Sequence, residues 1–461
     1  MFDCPSCAAN LRFDPATQDM GCPYCGSHYD VGMFRDDKGN AESSEIFDVT
    51  VFTCPQCGGE LISTDNEAAV FCSYCGASNV LESKLRQEKR PKYIIPFSVT
   101  KDDCKKRFTA KVKRTGFAPA ELTDPEVIES FRGIYMPYWC YSVKQDNDII
   151  VHSTDVRQEG DYEVTRTYTA NARVDASYGG YAKDSASSFD DEISDSIAPY
   201  DRNTAKDFHS AYMSGFYADI SDVDKQVYEQ EAKDLAVRET RNRVSTELNR
   251  AKMKGSPDTS KLTDRSLNTR VTEVENVMYP VWFFSYRSGD RVAYAAVNGQ
   301  TGKLMADVPI STKKYYLASF LMAIPIFVLL NLFLTIHPKY ILMAASVLTI
   351  ITVVMSFFSS QAVYEREHKT KDLGWLSKNR PNEEIPKYSP VTWDEILGIV
   401  LAVLDWAVII FAPVSDLWYY GTIVLNLIIM LLLIIRMIKE FNLMSTHKLP
   451  QFNRTGGDDR A

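Results

Sequence analysis

Eight of the ten cysteines fall into four Cys-x-x-Cys pairs, and four thiolates brought together are a metal trap. Cys4, Cys7, Cys22 and Cys25 form one set; Cys54, Cys57, Cys72 and Cys75 form the other, each 50 positions after its counterpart. The flanks repeat as well, with Phe2 and Phe52, Leu11 and Leu61, Tyr24 and Tyr74, and Gly26 and Gly76 in matching places. Four soft sulfurs closing a tetrahedron select Zn2+ in a structural role, with no open position for a catalytic water. So small a module has little core of its own, and the ion supplies much of its folding energy. The elements that position such a set are short strands and tight turns, the architecture of a Cys4 zinc ribbon. We therefore expect two tandem ribbons and two structural zinc ions.

Other chemistry fits these cysteines less well. A redox Cys-x-x-Cys opens a helix in a βαβ unit, whereas each pair here sits among turn and strand residues. Disulfides need an oxidising compartment, and the charge pattern below puts this end in the cytosol. Cys7 is followed by Ala8, where the other three pairs are followed by Gly26, Gly58 and Gly76. Glycine lets the backbone curl around the metal, so the first turn should carry slight strain. Residues 1–90 hold 14 Asp and Glu against 7 Lys and Arg. Nucleic-acid affinity rests on cations meeting phosphates, so this acidic segment argues against it. Tyr24, Tyr29, Phe34 and Tyr74 are expected to be exposed and to suit protein contacts.

The far end of the chain is apolar. Tyr316–Ile336, Tyr340–Phe358, Ile396–Val414 and Leu417–Ile435 each approach the ~20 residues that cross a bilayer. Met1-Phe2-Asp3 runs straight into the first Cys pair, so no signal peptide is expected. Lys313 and Lys314 precede the first stretch, the loop after the second holds Arg366, Lys369, Lys371, Lys378, Arg380 and Lys387, and Arg436 and Lys439 follow the last. The connections 337–339 and 412–416 carry one lysine between them. The positive-inside rule then sets both termini in the cytoplasm and makes two helical hairpins in the cell membrane. Asp405 falls in the third stretch, where an ionisable group needs a reason. One reading is an ion or proton path; the other is a carboxyl hydrogen-bonded to Asn331 or Asn426 that holds helices together.

Between these ends lies an α+β region. Ser83–Lys92 reads as helical or extended, Tyr93–Phe97 as a short strand, and Ser98 with Thr100 starts a basic helix to about Thr115. Cys104 on that helix reads as a small buried side chain. Pro137-Tyr-Trp139-Cys-Tyr-Ser142 and Pro280-Val-Trp282-Phe-Phe-Ser285 share P-x-W-x-x-S in strand-like surroundings. This echo suggests two related lobes, or one sheet that takes a strand from each copy. Trp139 and Trp282 read as core anchors, with a ligand-facing role as the alternative. Residues 186–201 read as an acidic loop, Val223 to about Met253 as a helix capped by Ser221 and Asp222, and Gly299–Lys303 as a hairpin turn, since it lacks phosphate-loop spacing.

Together the segments FDCPSC, KYIIPF, GIYMPYWCYS, SGFYADISD and VNGQTGKLMADVPIS resemble a bacterial group. These are zinc-ribbon multipass membrane proteins of the transcription-factor-IIB type, associated with phage-shock-type and SPFH-domain (virion-core-like) envelope-stress systems. The resemblance implies a membrane anchor that gathers protein partners of those kinds. A second ribbon and four spans depart from the group's pattern. The fold class expected is multidomain: two Cys4 ribbons (1–35 and 51–82, linker 36–50), an α+β cytosolic domain (83–311), and an all-α region of four transmembrane helices. That region spans 312–436 (316–336, 340–358, 396–414, 417–435) with a cytosolic loop 359–392, followed by a cytosolic tail 437–461. No catalytic constellation or open metal site is visible, so the expected function is a non-enzymatic membrane scaffold whose separable ribbons dock partners. The alternatives are a membrane-tethered nucleic-acid binder and a transporter using Asp405.

Overall fold

The computed structural model describes residues 2–34, 46–63, 72–77, 82–333, 336–368, 372–378 and 391–452. The expected linker stretch 36–45, the middle of the 359–392 loop and the tail beyond 452 lie outside these residues. The first ribbon is a small sheet of β1 (Arg12–Asp14), β2 (Asp19–Gly21) and β3 (His28–Tyr29). The second supplies β4 (Ile46–Thr53), β5 (Glu60–Ser63) and β6 (Glu82–Lys89). β4 thus begins inside the expected linker, and the charged 83–92 stretch is extended.

These three strands are not a separate module. A large sheet runs on through β7 (Tyr93–Ile94), β8 (Arg132–Glu159), β9 (Tyr162–Asp184), β10 (Lys206–Asp207), β11 (Tyr217–Ala218), β12 (Ser256–Asp258), β13 (Arg270–Ser288), β14 (Arg291–Asn298) and β15 (Leu304–Ala306). Its main path is β10-β7-β13-β8-β11-β5-β4-β6, with β9 on β8 and β14 on β13. β5 therefore pairs with the body strand β11, Ile62 opposite Ala218. The helices of the body are α1 (Lys101–Arg114), α2 (Pro125–Ile128), α3 (Asp191–Ile197) and α4 (Glu229–Arg250). The Thr100 hydroxyl accepts from the Asp103 N–H and caps α1, whose Cys104, Phe108 and Val112 are buried. Cys104 is fully enclosed, and burial pushes its thiol up. Two expectations shift here. The acidic loop 186–201 contains α3, capped by Asp190. α4 begins at Glu229 rather than Val223, because Asp222 is taken up by Ser187, whose N–H and hydroxyl both donate to it at 2.8 and 2.6 Å.

The two P-x-W-x-x-S strands are antiparallel neighbours at the centre of the sheet. Pro137 faces Met278 and Pro280 faces Tyr135, so each proline meets the residue two before the other. The exchange extends outward as a pseudo-twofold. β7 runs parallel to β13 with Tyr93 opposite Val277, and β11 runs parallel to β8 with Tyr217 opposite Ile134. Ile95 N donates to Met278 O and Asp219 N to Tyr135 O, both at 2.9 Å. Gly299 N donates to Pro280 O and Ser185 N to Pro137 O, both at 2.8 Å. Each copy is a short strand, a helix and a long hairpin, and each short strand pairs with the other copy's hairpin. One sheet built from both copies is what the structure contains.

Among the described residues, three helices are long and apolar enough to cross a membrane: α5 (Thr312–Phe333), α6 (Pro338–His368) and, later in the chain, Leu417–Met444. Between them come α7 (Leu373–Lys378) and the 19-residue apolar α8 (Trp393–Phe411), which carries Asp394, Glu395 and Asp405; Leu417–Met444 is α9. α6 and α9 run past their expected ends into the loop and tail, and β16 (His447–Lys448) adds to β14. The start of the expected tail is therefore part of the body.

Candidate metal centres

Each Cys-x-x-Cys turn folds the same way, because one pattern of backbone bonds is repeated four times. The Cys4, Cys22, Cys54 and Cys72 carbonyls accept from the N–H groups of Ala8, Gly26, Gly58 and Gly76 at 2.8–3.0 Å. The same four cysteine N–H groups donate to the carbonyls of Ala9, Ser27, Gly59 and Ala77. The residue closing each turn has positive φ: 59° at Ala8, 71° at Gly26, 75° at Gly58 and 70° at Gly76. Only Ala8 meets a Cβ penalty there, which is the strain the sequence implied.

These turns bring the sulfurs together in two quartets, Cys4, Cys7, Cys22 and Cys25, and Cys54, Cys57, Cys72 and Cys75. The Sγ separations are 3.6 Å for Cys4–Cys25, 3.5 Å for Cys7–Cys22, 3.8 Å for Cys54–Cys75 and 3.7 Å for Cys57–Cys72. A tetrahedron with metal–sulfur bonds of ~2.3 Å has edges of ~3.8 Å, and a disulfide has its sulfurs at about 2 Å. Each quartet has the size of a four-thiolate metal site, and the chain can hold two ions.

The two centres differ in setting. In the first, Cys25 is exposed and Tyr24 at its tip is 84% exposed. The other side of this ribbon is fixed to the body. Leu11, Phe13 and Met20 join the core around Phe97 and Phe216, and Ser214 Oγ donates to Leu11 O at 2.6 Å. Tyr29 and Phe34 are half-buried; Tyr29 shares a hydrogen bond with Ser6, and Phe34 packs on Phe2. In the second centre all four cysteines are buried. Tyr74, expected outside, is 1% exposed. Its ring meets Phe283 and Phe452, its hydroxyl donates to Asp219 at 2.5 Å, and its carbonyl accepts from Tyr294 Oη at 2.9 Å. Burial pushes Asp219 up to about 7. A strand-like sequence flanking a knuckle looks the same whether solvent or a sheet covers it, so spacing alone could not separate the two settings.

Other polar groups are drawn together where the body meets the helices. Arg291 on β14 donates to Glu367 Oε1 at 2.6 Å, to the Leu443 and Thr446 carbonyls, and to Thr446 Oγ1. Lys448 reaches Glu367 at 3.0 Å, and Asn442 of α9 exchanges two hydrogen bonds with Ile310 just before α5. Deeper among the helices Asn426 donates to both oxygens of Asp405 at 3.0 and 2.9 Å and accepts from Thr349 Oγ1 at 2.5 Å. Asp405 is thus joined to Asn426, one of the two partners the sequence offered. Nothing in the sequence marked Asp184, which is 1% exposed and has no hydrogen-bond partner for either oxygen among the described residues. Burial, with Asp191 and Asp372 facing it, pushes its carboxyl well above the ordinary range.

Among the described residues, two cysteine quartets able to hold metal ions, one on a small sheet and one at the large sheet, together with three bilayer-length helices, indicate a metal-binding membrane protein. No protein-family model matches it, and no solved structure matches it. An uncharacterised protein of Bacillus subtilis strain 168, YdjG, is 27% identical over 317 residues, which cover 68% of this chain and 91% of the relative.

Proposed function

We propose that this is a non-enzymatic, zinc-binding scaffold that recruits partner proteins to the cytoplasmic membrane, in envelope maintenance of the kind the phage-shock-type and SPFH-domain resemblance implies. The observation that carries the reading is the junction at Arg291. A large, irregular, sheet-built body is fixed by ion pairs and backbone bonds to the ends of α6 and α9, as a platform held at a membrane surface would be. Thiolate-only quartets support structural zinc, because they leave no vacant coordination position. In this reading α8 is the fourth span. Its first turn meets α9 through Arg436, 3.0 Å from Asp394, on the same side as the body. The termini and the loop around α7 face the cytosol.

Crosslinking in intact membranes followed by mass spectrometry tests the scaffold. Links from the body to one or a few cytosolic or membrane-associated proteins are expected; links confined to this chain would overturn it. Orientation has its own check with a membrane-impermeant thiol reagent. Ser415→Cys, between α8 and α9, should be labelled from outside and Ser377→Cys should not. External labelling of Ser377→Cys would mean that the spans are miscounted.

A further inference from the structure

The pseudo-twofold allows the surroundings of Trp139 and Trp282 to be compared position by position. Each indole N–H donates at 2.8 Å to a backbone carbonyl, Val223 for Trp139 and Val99 for Trp282. Val99 follows Tyr93 by six residues, as Val223 follows Tyr217. The frames are therefore equivalent, but their contents are not. Against Trp282 lie two phenyl rings, Phe97 at 5.1 Å and Phe216 at 5.9 Å, themselves stacked at 4.3 Å. Gly133 makes room for them, since a Cβ there would come within 2.4 Å of the Phe216 ring.

Around Trp139 the matching positions hold Ser221 for Phe97, Lys92 for Phe216 and Asn276 for Gly133. Lys92 turns away to Glu273 and Glu275, at 3.1 and 2.5 Å. Among the described residues, the space that two rings fill in one copy is open in the other. A groove of about 1050 Å³ lies over Trp139, floored by Pro137, Met278 and Val274. Asn276 stands in its wall where the other copy has Gly133.

We propose that this groove receives an aromatic side chain of a partner protein, seated on Trp139 as Phe97 and Phe216 sit against Trp282. The proposal rests on the recruiting reading above and adds where and by what chemistry it happens. The copy itself shows what fits, and the rim of Glu88, Lys89, Lys225 and Lys378 has the mixed charge of a protein interface around an aromatic anchor.

The test uses the full-length protein in nanodiscs and three probes: N-acetyl-tyrosinamide, N-acetyl-leucinamide and adenosine. Ser221→Phe rebuilds the filled copy and should plug the groove. Binding of the tyrosinamide, read by saturation-transfer NMR, should weaken about tenfold or more in that variant, while the leucinamide shows weak binding that the variant does not change. Equal tyrosinamide binding by both proteins would overturn the proposal, as would equal binding of leucinamide and tyrosinamide. Tighter binding of adenosine, lost in Ser221→Phe, would overturn the protein side chain as occupant in favour of a small planar ligand. If Ser221→Phe fails to fold, Trp139→Leu is the second variant, with the same loss expected. Partner crosslinks that persist while no amide binds would remove this groove and leave the scaffold standing.

Discussion

Ala8 closes the first Cys-x-x-Cys turn at φ 59°, in the region where its three counterparts are glycine. Ala8→Gly should relieve that strain and stabilise the first metal-loaded ribbon by about 1 kcal/mol, less the entropy glycine gains in the unfolded chain. Chelator titration of the two proteins measures this; easier loss of the metal from the variant would contradict it. Asp184 offers a second residue-scale test. Its pseudo-equivalent is Asn298, whose amide donates to the Ile197 and Pro199 carbonyls and accepts from the Gln300 and Thr301 N–H groups. Among the described residues Asp184 has no such partners, and its carboxyl is raised by burial. A raised folded-state value means the protonated form favours the fold. The contribution is full below the ordinary value of 3.8 and is lost as pH rises. Asp184→Asn should therefore stabilise the body by about 1–3 kcal/mol at pH 8, and by less at pH 5. Thermal unfolding at the two pH values reads it, and a variant less stable at pH 8 would contradict it.

At the scale of elements, the sequence was most legible where a pattern has a strict period or a strict chemistry. The cysteine spacing pointed to both quartets, because each Cys-x-x-Cys turn is a local structure closed by its own backbone hydrogen bonds. Thr100 gave the start of α1 because a cap is a local interaction. The P-x-W-x-x-S echo led to the two central strands. What could not be read were pairings between distant segments. That Tyr93 meets Val277, or Ile62 meets Ala218, depends on which edge of a finished sheet is free. The ends of α6 and α9 were missed for the same reason. Glu367 and Asn442 are polar residues that a hydropathy reading assigns to loops, and they are helical because Arg291 and Ile310 hold them.

For the whole molecule, the main change from the sequence reading concerns autonomy. Separable ribbons would allow residues 1–80 to be removed without harm. Instead β5 is a strand of the body sheet, and Tyr74 plugs the space between Phe283 and Phe452. Removing 1–80 should expose Phe283 and Tyr294 and abolish cooperative unfolding of the body. Unchanged unfolding would show that the ribbons are appendages after all. The two cysteine quartets thus differ in setting: the first displays an exposed tip on a ribbon whose Leu11, Phe13 and Met20 pack on the body, and the second is a rivet in the sheet.

Metal content and thermal unfolding, measured together on the intact chain, Cys22→Ser and Cys72→Ser, test that claim most directly. Two zinc ions are expected in the intact protein and one in each variant, with the body still unfolding cooperatively but at a lower temperature in Cys22→Ser, whose ribbon covers part of the core around Phe97 and Phe216, and with cooperative unfolding lost in Cys72→Ser. Less than one zinc in the intact protein, or a Cys72→Ser body as stable as that of Cys22→Ser, would contradict it.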